Sequence, residues 1–323
     1  MDTMIGRQIG RYVIDEEIGR GSMGAVYKAH KLNEPDQFVA MKILLSALTS
    51  DNSFITRFNR ETEALQKMKH PNVIRVFDAG QDGSMIYYVM EYIPGITVGQ
   101  TLKKQKKIDP LRTIEIGAQI ADALDYIHSE GRLIHRDIKP DNIIVDRWSH
   151  ARLLDFGLAR INGLYTITRT GMVVGSLYYV PPENLHGEKI DGRADIYALG
   201  VSLYEMITGV RPFRGATLQE MSKAINMGAP VPPSVLEPDI PIECERIILK
   251  AMARLPQDRY QRAKEMETDL RLLQENYTEH CETKHLSAIQ PDVSAPPAAA
   301  FNQPLPASDI QPVDPRFARA PNL

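Results

Sequence analysis

The sequence predicts an α+β chain in which strands come first and helices follow. Two observations carry that order. Three extended or alternating runs, "RYVIDEEIG", "AVYKAHK" and "FVAMKIL", fall within residues 11–44. Beyond them the apolar residues recur at helical spacing, first over 54–68, then over 110–131 and 193–209.

The first two runs are joined by "IGRGSMGAVYKA", with Gly19, Gly21 and Gly24. A dinucleotide site needs strand, glycines, then helix. Here the glycines lead into another strand, so they read as a flexible hairpin lid. Its backbone can approach phosphates because glycine has no Cβ. A turn around Asn33–Asp36 leads into "VAMK", which puts Lys42 inside an apolar strand. A lysine there either snorkels to water or meets a buried acid. The next helix supplies one. Phe54, Phe58, Leu65 and Met68 form its apolar stripe, and Glu61 falls on the same face. A carboxylate in such a stripe is costly unless paired, and Lys42 is the expected partner.

Residues 110–131 form a strong helix, with Ile116, Ile120, Leu124 and Ile127 on one face and Gly131 as its stop. "LIHRDIKPDNIIV" follows it, then "LLDFG". Residues 155–183 are polar and threonine-rich in the middle, which reads as a mobile loop. "RADIYALGVSLYEMITG" is apolar almost all round and should be a buried helix. Eight of the chain's 22 prolines fall within the last 38 residues, so 286–323 reads as a disordered or polyproline-like linker.

Composition narrows the class. The chain has 323 residues, 43% hydrophobic, with a formal net charge of −3, so no strong field points to nucleic acid. Cys244 and Cys281 cannot build a disulfide framework, which fits a reducing compartment. The N-terminus has no apolar run of signal-peptide length, and nowhere do about 18 apolar residues run together. The expectation is a cytoplasmic chain without a membrane span, tethered to a membrane only if the natural chain continues past residue 323.

The ordered series of motifs resembles the eukaryotic-type serine/threonine protein kinases. It runs from the glycines through Lys42, Glu61, "HRDIKPDN" and "DFG". The wording is nearest the bacterial members, as is the Thr-x-Thr before "VVGSLYYVPPE". The resemblance covers residues 12 to about 276. It implies a two-lobed fold, with a small N-terminal antiparallel-sheet lobe holding one helix and a larger, mainly helical C-terminal lobe. Residues 1–11 would be an extension, 12–90 the first lobe, 91–95 the hinge and 96–276 the second lobe. Residues 277–323 would be a C-terminal region, a Pro/Ala-rich tail from about 286.

The resemblance also implies ATP and Mg²⁺, with Mn²⁺ as a substitute, and protein Ser/Thr hydroxyls as acceptors. Asp137 would orient the acceptor hydroxyl and take its proton. Lys139, a mark of Ser/Thr kinases, would neutralise the γ-phosphate. Lys42 would hold phosphates, fixed by Glu61. Asn142 and Asp155 would hold the metal as hard oxygen ligands. Ile18, Val26, Ala40 and Ile144 would sandwich the adenine, with Met90 behind it and the backbone at Glu91 and Ile93 on its edge.

Arg136, directly before Asp137, implies control by phosphorylation at Thr168 and Thr170, with Thr166 a weaker site. Ser176 would bond Asp137 and Lys139, Asp195 would brace the catalytic loop backbone, and Glu183 would pair with Arg259. Two copies would meet for trans-autophosphorylation. "PPE" stands where the family has A-P-E, and Thr97 stands where an acid would favour basic substrates. Asp141 could serve as one acid near that groove, but with Thr97 in the other place such selectivity should be weak. "LKKQKK" reads as a solvated helix face. A partner-binding scaffold without catalysis is the rival class, but the complete motif set speaks against it. A small-molecule phosphotransferase is another, but it would lack the long segment ending at Pro182–Glu183.

Overall fold

The structure is a computed structural model that describes residues 4–21, 24–44, 52–156 and 175–289. It divides into two compact units, Met1–His280 and Cys281–Leu323. The second is described only over 281–289, the end of a helix.

The chain opens with β1 (Gln8–Ile9), β2 (Tyr12–Gly21), β3 (Gly24–Lys31) and β4 (Glu34–Leu44). Next come helix α1 (Asn52–Lys67), then β5 (Val76–Asp82) and β6 (Met85–Glu91). The six strands form one antiparallel sheet in the order β1-β2-β3-β4-β6-β5. Two residues of the expected N-terminal extension thus belong to the sheet, and fully buried Ile9 anchors them there. Gly21 faces Gly24 across the lid hairpin. Only glycine suits position 24, where φ is +153° and a Cβ would lie 2.0 Å from the Ile43 carbonyl oxygen.

Strand alternation sorts the sheet into two faces. Val39, Met41 and Ile43 join Tyr27, Tyr87 and Val89 in one cluster. Ala40 and Leu44 face the other way, with Ile86, Tyr88 and Met90, and against these pack Phe54, Phe58 and Leu65 of α1. Phe58 is stacked on Phe54 and tilted against Tyr88, with centroids 6.2 and 6.3 Å away. Each such buried side chain contributes roughly 1.5–3 kcal/mol, so α1 is held to the sheet by this stripe.

After β6 come β7 (Gly95–Thr97), α2 (Val98–Gln105), α3 (Pro110–Ser129), β8 (Ile143–Asp146) and β9 (Ala151–Leu153). A capping box between Thr97 and Gln100 starts α2. Asp109 caps α3, and Pro110 takes its first turn. The three short strands form a second antiparallel sheet.

The remaining named elements of the described residues are helices: α4 (Pro182–Leu185), α5 (Arg193–Thr208), α6 (Leu218–Met227), α7 (Pro233–Leu236), α8 (Ile242–Ala251) and α9 (Ala263–Ile289). Helix α5 is buried on nearly every side. It packs between α3 and α8. Its Ser202 and Thr208 hydroxyls donate back to the Ala198 and Tyr204 carbonyls, which makes their burial tolerable.

Helix α9 runs through Ile289, so residues 286–289 are helical rather than tail. Nothing in them breaks a helix; the first proline beyond is Pro291, and the residue before a proline disfavours the helical region. The remainder of the expected tail lies outside the described residues.

Far along the chain Arg259 closes the larger lobe. Its two terminal nitrogens each donate to one Glu183 oxygen at 2.7 Å. The pair is almost wholly buried, and the guanidinium lies 4.8 Å from the centroid of the Tyr197 ring. Further donations go to the carbonyls of Ala253, Arg193 and Arg254. Arg259→Met would leave Glu183 as an unpaired buried charge, and urea denaturation should show a loss of about 3–5 kcal/mol. A loss below about 1 kcal/mol would contradict this account, since only a surface pair is that weak.

Candidate active site

The expected nucleotide and catalytic residues come mainly from both sheets and from the loop between α3 and β8, with Glu61 on α1 and Asp155 just after β9. On the large sheet Lys42 pairs in register with Val26 on one side and Tyr88 on the other, and Ala40 lies opposite Met90. Val26 and Ile144 pack against the apolar cluster that contains Ala40, Met90 and Ile93. Four of the expected adenine-pocket residues thus share one cluster with Ile93. Ile18 stands apart at the rim of β2, 40% exposed. Gly19 borders open space. The Glu91 N–H donates to the Arg75 carbonyl and its side chain takes Arg152 at 2.6 Å.

The loop 133–142 is built around a buried carboxylate. Asp195, at the start of α5, accepts from the N–H groups of His135 and Arg136, each at 2.8 Å, and sits 2.9 Å from His128 Nε2. Burial alone would push Asp195 up; the His128 ring, with His135 and its backbone N–H, outweighs it and holds the carboxyl below the usual range. Arg136 has φ +65°, a left-handed conformation uncommon outside glycine. The Asp195 hydrogen bond helps to offset that strain.

His135 is fully buried and tilted against Phe156, with ring centroids 4.7 Å apart. Its Nε2 faces the Leu154 carbonyl at 2.8 Å, and its Nδ1 faces the Asp137 N–H at 3.3 Å. A carbonyl can only accept and an N–H can only donate, so the proton sits on Nε2. Burial pushes the ring's pKa down, which keeps it in this neutral form.

Asp137, Lys139 and Asn142 meet directly. Lys139 Nζ lies 2.8 Å from Asp137 Oδ2. Asn142 Nδ2 donates to that same oxygen at 2.9 Å and to the Asp137 carbonyl at 2.8 Å. With its amide nitrogen so engaged, the remaining side-chain polar atom of Asn142 is Oδ1, an acceptor. The Asn142 carbonyl in turn accepts from the Leu154 N–H, one residue before Asp155.

Asp155 shows where expectation and structure part. Its Oδ2 is 2.7 Å from Lys42 Nζ, and its Oδ1 accepts from the Tyr88 hydroxyl at 2.5 Å. The expected Lys42–Glu61 pair is not formed. Glu61 instead has Arg136 as its ion-pair partner, at a long 3.9 Å. The physical reason is competition for one ammonium. Burial would raise Asp155, but the charge and hydrogen bond of Lys42, with the Tyr88 donor, hold its carboxyl below the usual range. At Glu61 burial outweighs the charges of Arg136, Arg57 and Arg60 and pushes the carboxyl up. Lys42 thus sits with the carboxylate that a second donor also supports. Burial first and the Asp155 charge second push the Tyr88 phenol well above its usual range, so it remains a donor.

Other expected residues are located but not joined to this group. Pro181 caps α4, which carries Glu183. Asp141 is half exposed with Lys103 3.7 Å away, and Thr97 caps α2. Thr166, Thr168 and Thr170 lie outside the described residues, and so does the Ser176 side chain. Three residues of the site were not anticipated: Tyr88, His128 and the His135 side chain. Alternation in "YYVME" puts Tyr88 on the face of Met90 and was the available signal; nothing local marks His128.

A family model described as protein kinase domain matches residues 12–270. Among curated relatives, a probable serine/threonine-protein kinase of Clostridium acetobutylicum is 40% identical over 85% of this chain and 42% of its own length. The serine/threonine-protein kinase PrkC of Bacillus subtilis is 38% identical over 83% of this chain and 41% of its own. The chain therefore spans about two-fifths of these relatives. The crystal structure of the Mycobacterium tuberculosis PknI kinase domain superposes with a TM-score of 0.67, at 27% identity, covering 82% of this chain and 96% of that domain. By the matched model, the relatives and the two-lobed architecture alike, the chain belongs to the protein kinase family and is similar to its bacterial serine/threonine members.

Proposed function

We propose that this chain transfers the γ-phosphate of ATP to serine and threonine hydroxyls of proteins, with residues 12–276 as the catalytic domain. The observation that carries the reading is the linked set Lys42–Asp155 and Lys139–Asp137–Asn142, tied together through the Leu154 backbone. Family membership implies ATP and a divalent metal. The donor set fits Mg²⁺: one carboxylate and one amide oxygen, with no cluster of three or more His, Cys, Asp or Glu among the described residues. Mg²⁺ commonly takes one or two protein oxygens and fills its shell with phosphates and water. Mn²⁺ accepts the same oxygens. Bound there, the metal would neutralise phosphate charge during transfer.

The chain's own groups divide the remaining work. Asp137 accepts the proton as the acceptor oxygen bonds phosphorus and the bond to ADP breaks. Lys139, already on Asp137, adds positive charge beside the transferring group. Lys42 passes from Asp155 to the ATP phosphates. Val26, Ala40, Met90 and Ile144 wall the adenine, with Ile18 at the rim and Gly19, Gly21 and Gly24 above the phosphates. The Glu91 and Ile93 backbone reads the adenine edge. An ATP-dependent chain of this kind is expected in the cytoplasm; no described helix is long and apolar enough to cross a membrane.

Regulation would run through Thr168 and Thr170, modified by a second copy of the chain. A phosphothreonine adds about −1.5 to −2 charge. Arg136, 3.9 Å from Glu61, would receive it, which would release Glu61 toward Lys42.

Asp137→Asn should cut radiolabelled phosphate transfer to a generic protein by about 100-fold or more, with nucleotide binding kept. Transfer within about tenfold of wild type would contradict the role of Asp137. Mass spectrometry after incubation with Mg·ATP should find phosphate on Thr168 and Thr170. An active preparation with both threonines unmodified would end the regulatory proposal.

A further inference from the structure

Tyr88 touches three parts of the site at once. It pairs in register with Lys42, its ring packs on Phe58 of α1, and its hydroxyl donates to Asp155 Oδ1. The residue is 3% exposed. The two Asp155 oxygens are therefore held by different kinds of partner. Oδ2 is held by Lys42, a mobile cation on four methylenes that ATP phosphates would draw away. Oδ1 is held by the hydroxyl of a ring fixed in the apolar core, which cannot swing away as a lysine on four methylenes can.

We infer that Tyr88 is a positioning residue for Asp155: its hydroxyl anchors Oδ1, so that Oδ2 is the oxygen handed to the metal when Lys42 leaves. The backbone at Asp155 makes such an anchor useful. Its φ is +39°, a sparsely populated conformation, and its carboxylate would otherwise be free to turn about χ2. Hydrogen bonds that orient a ligating carboxylate are commonly worth 10- to 100-fold in metal affinity. This inference rests on the reading of Asp155 as a metal ligand.

The test is a MgCl₂ titration of the full chain in the presence of a non-hydrolysable ATP analogue, followed by calorimetry. Tyr88→Phe keeps the ring and removes only the hydroxyl. It should raise the half-saturating Mg²⁺ by about tenfold or more, while binding of the analogue without metal stays unchanged. Tyr88→Met, which also lacks the hydroxyl but repacks flexibly, should show the same metal shift; it serves as the second arm if the Phe variant folds poorly. An unchanged or lowered Mg²⁺ requirement in both variants, against a wild type that binds metal and analogue, would overturn the role of Tyr88 alone. A wild type whose analogue binding ignores Mg²⁺ would overturn the metal reading of Asp155 and this inference together.

Discussion

One buried carboxylate governs the geometry of the site. Asp195 sits at the start of a helix enclosed by protein on nearly every side, so its position is set by core packing. Its two oxygens accept the N–H groups of His135 and Arg136, and the left-handed turn at Arg136 is held by that contact. The His135 ring carries the constraint onward to the Leu154 carbonyl, next to Asp155. Leu154 passes it back to Asn142, and Asn142 to Asp137. Without the carboxylate, two backbone N–H groups would be left unpaired, at about 1–3 kcal/mol for a buried one, and Asp137, Asn142 and Asp155 would lose their common frame.

Much of the fold could be read because its signals were local. The period-2 strands, the stripe of α1, the apolar face of α3 with its stop at Gly131, and the apolar belt of α5 each sit within one segment. The site was legible in a different way. "HRDIKPDN" places Asp137, Lys139 and Asn142 within five residues of Asp137, and the loop folds them onto one another. Contacts between distant segments were less legible. The stripe argument brought Glu61 to Lys42 because a buried acid needs a cation, but it could not weigh Asp155, 113 positions beyond Lys42, as a competitor. Tyr88 and His128 were missed for the same reason: their partners, Asp155 and Asp195, are each 67 residues away. Glu183 and Arg259, 76 residues apart, came together only through the family pattern.

The charges in the cleft now pair with one another. Lys42 answers Asp155, Lys139 answers Asp137, and Arg136 is the cation nearest Glu61. On the proposed reading, each cation is also one that a phosphate would claim: Lys42 and Lys139 for the nucleotide, Arg136 for a phosphorylated Thr168 or Thr170. Phosphate groups arriving in the cleft would therefore exchange partners among existing charges rather than bring charge into an unprepared core. The long Glu61–Arg136 contact is the weakest of the three and the first expected to yield.

The most direct measurement is a crystal structure of the chain with Mg²⁺ and a non-hydrolysable ATP analogue. The account predicts metal on Asp155 and Asn142, Lys42 moved from Asp155 to the phosphates, and the Asp195 contacts to His135 and Arg136 unchanged. A nucleotide bound elsewhere, with Lys42 still paired to Asp155 and no metal at Asn142, would contradict it.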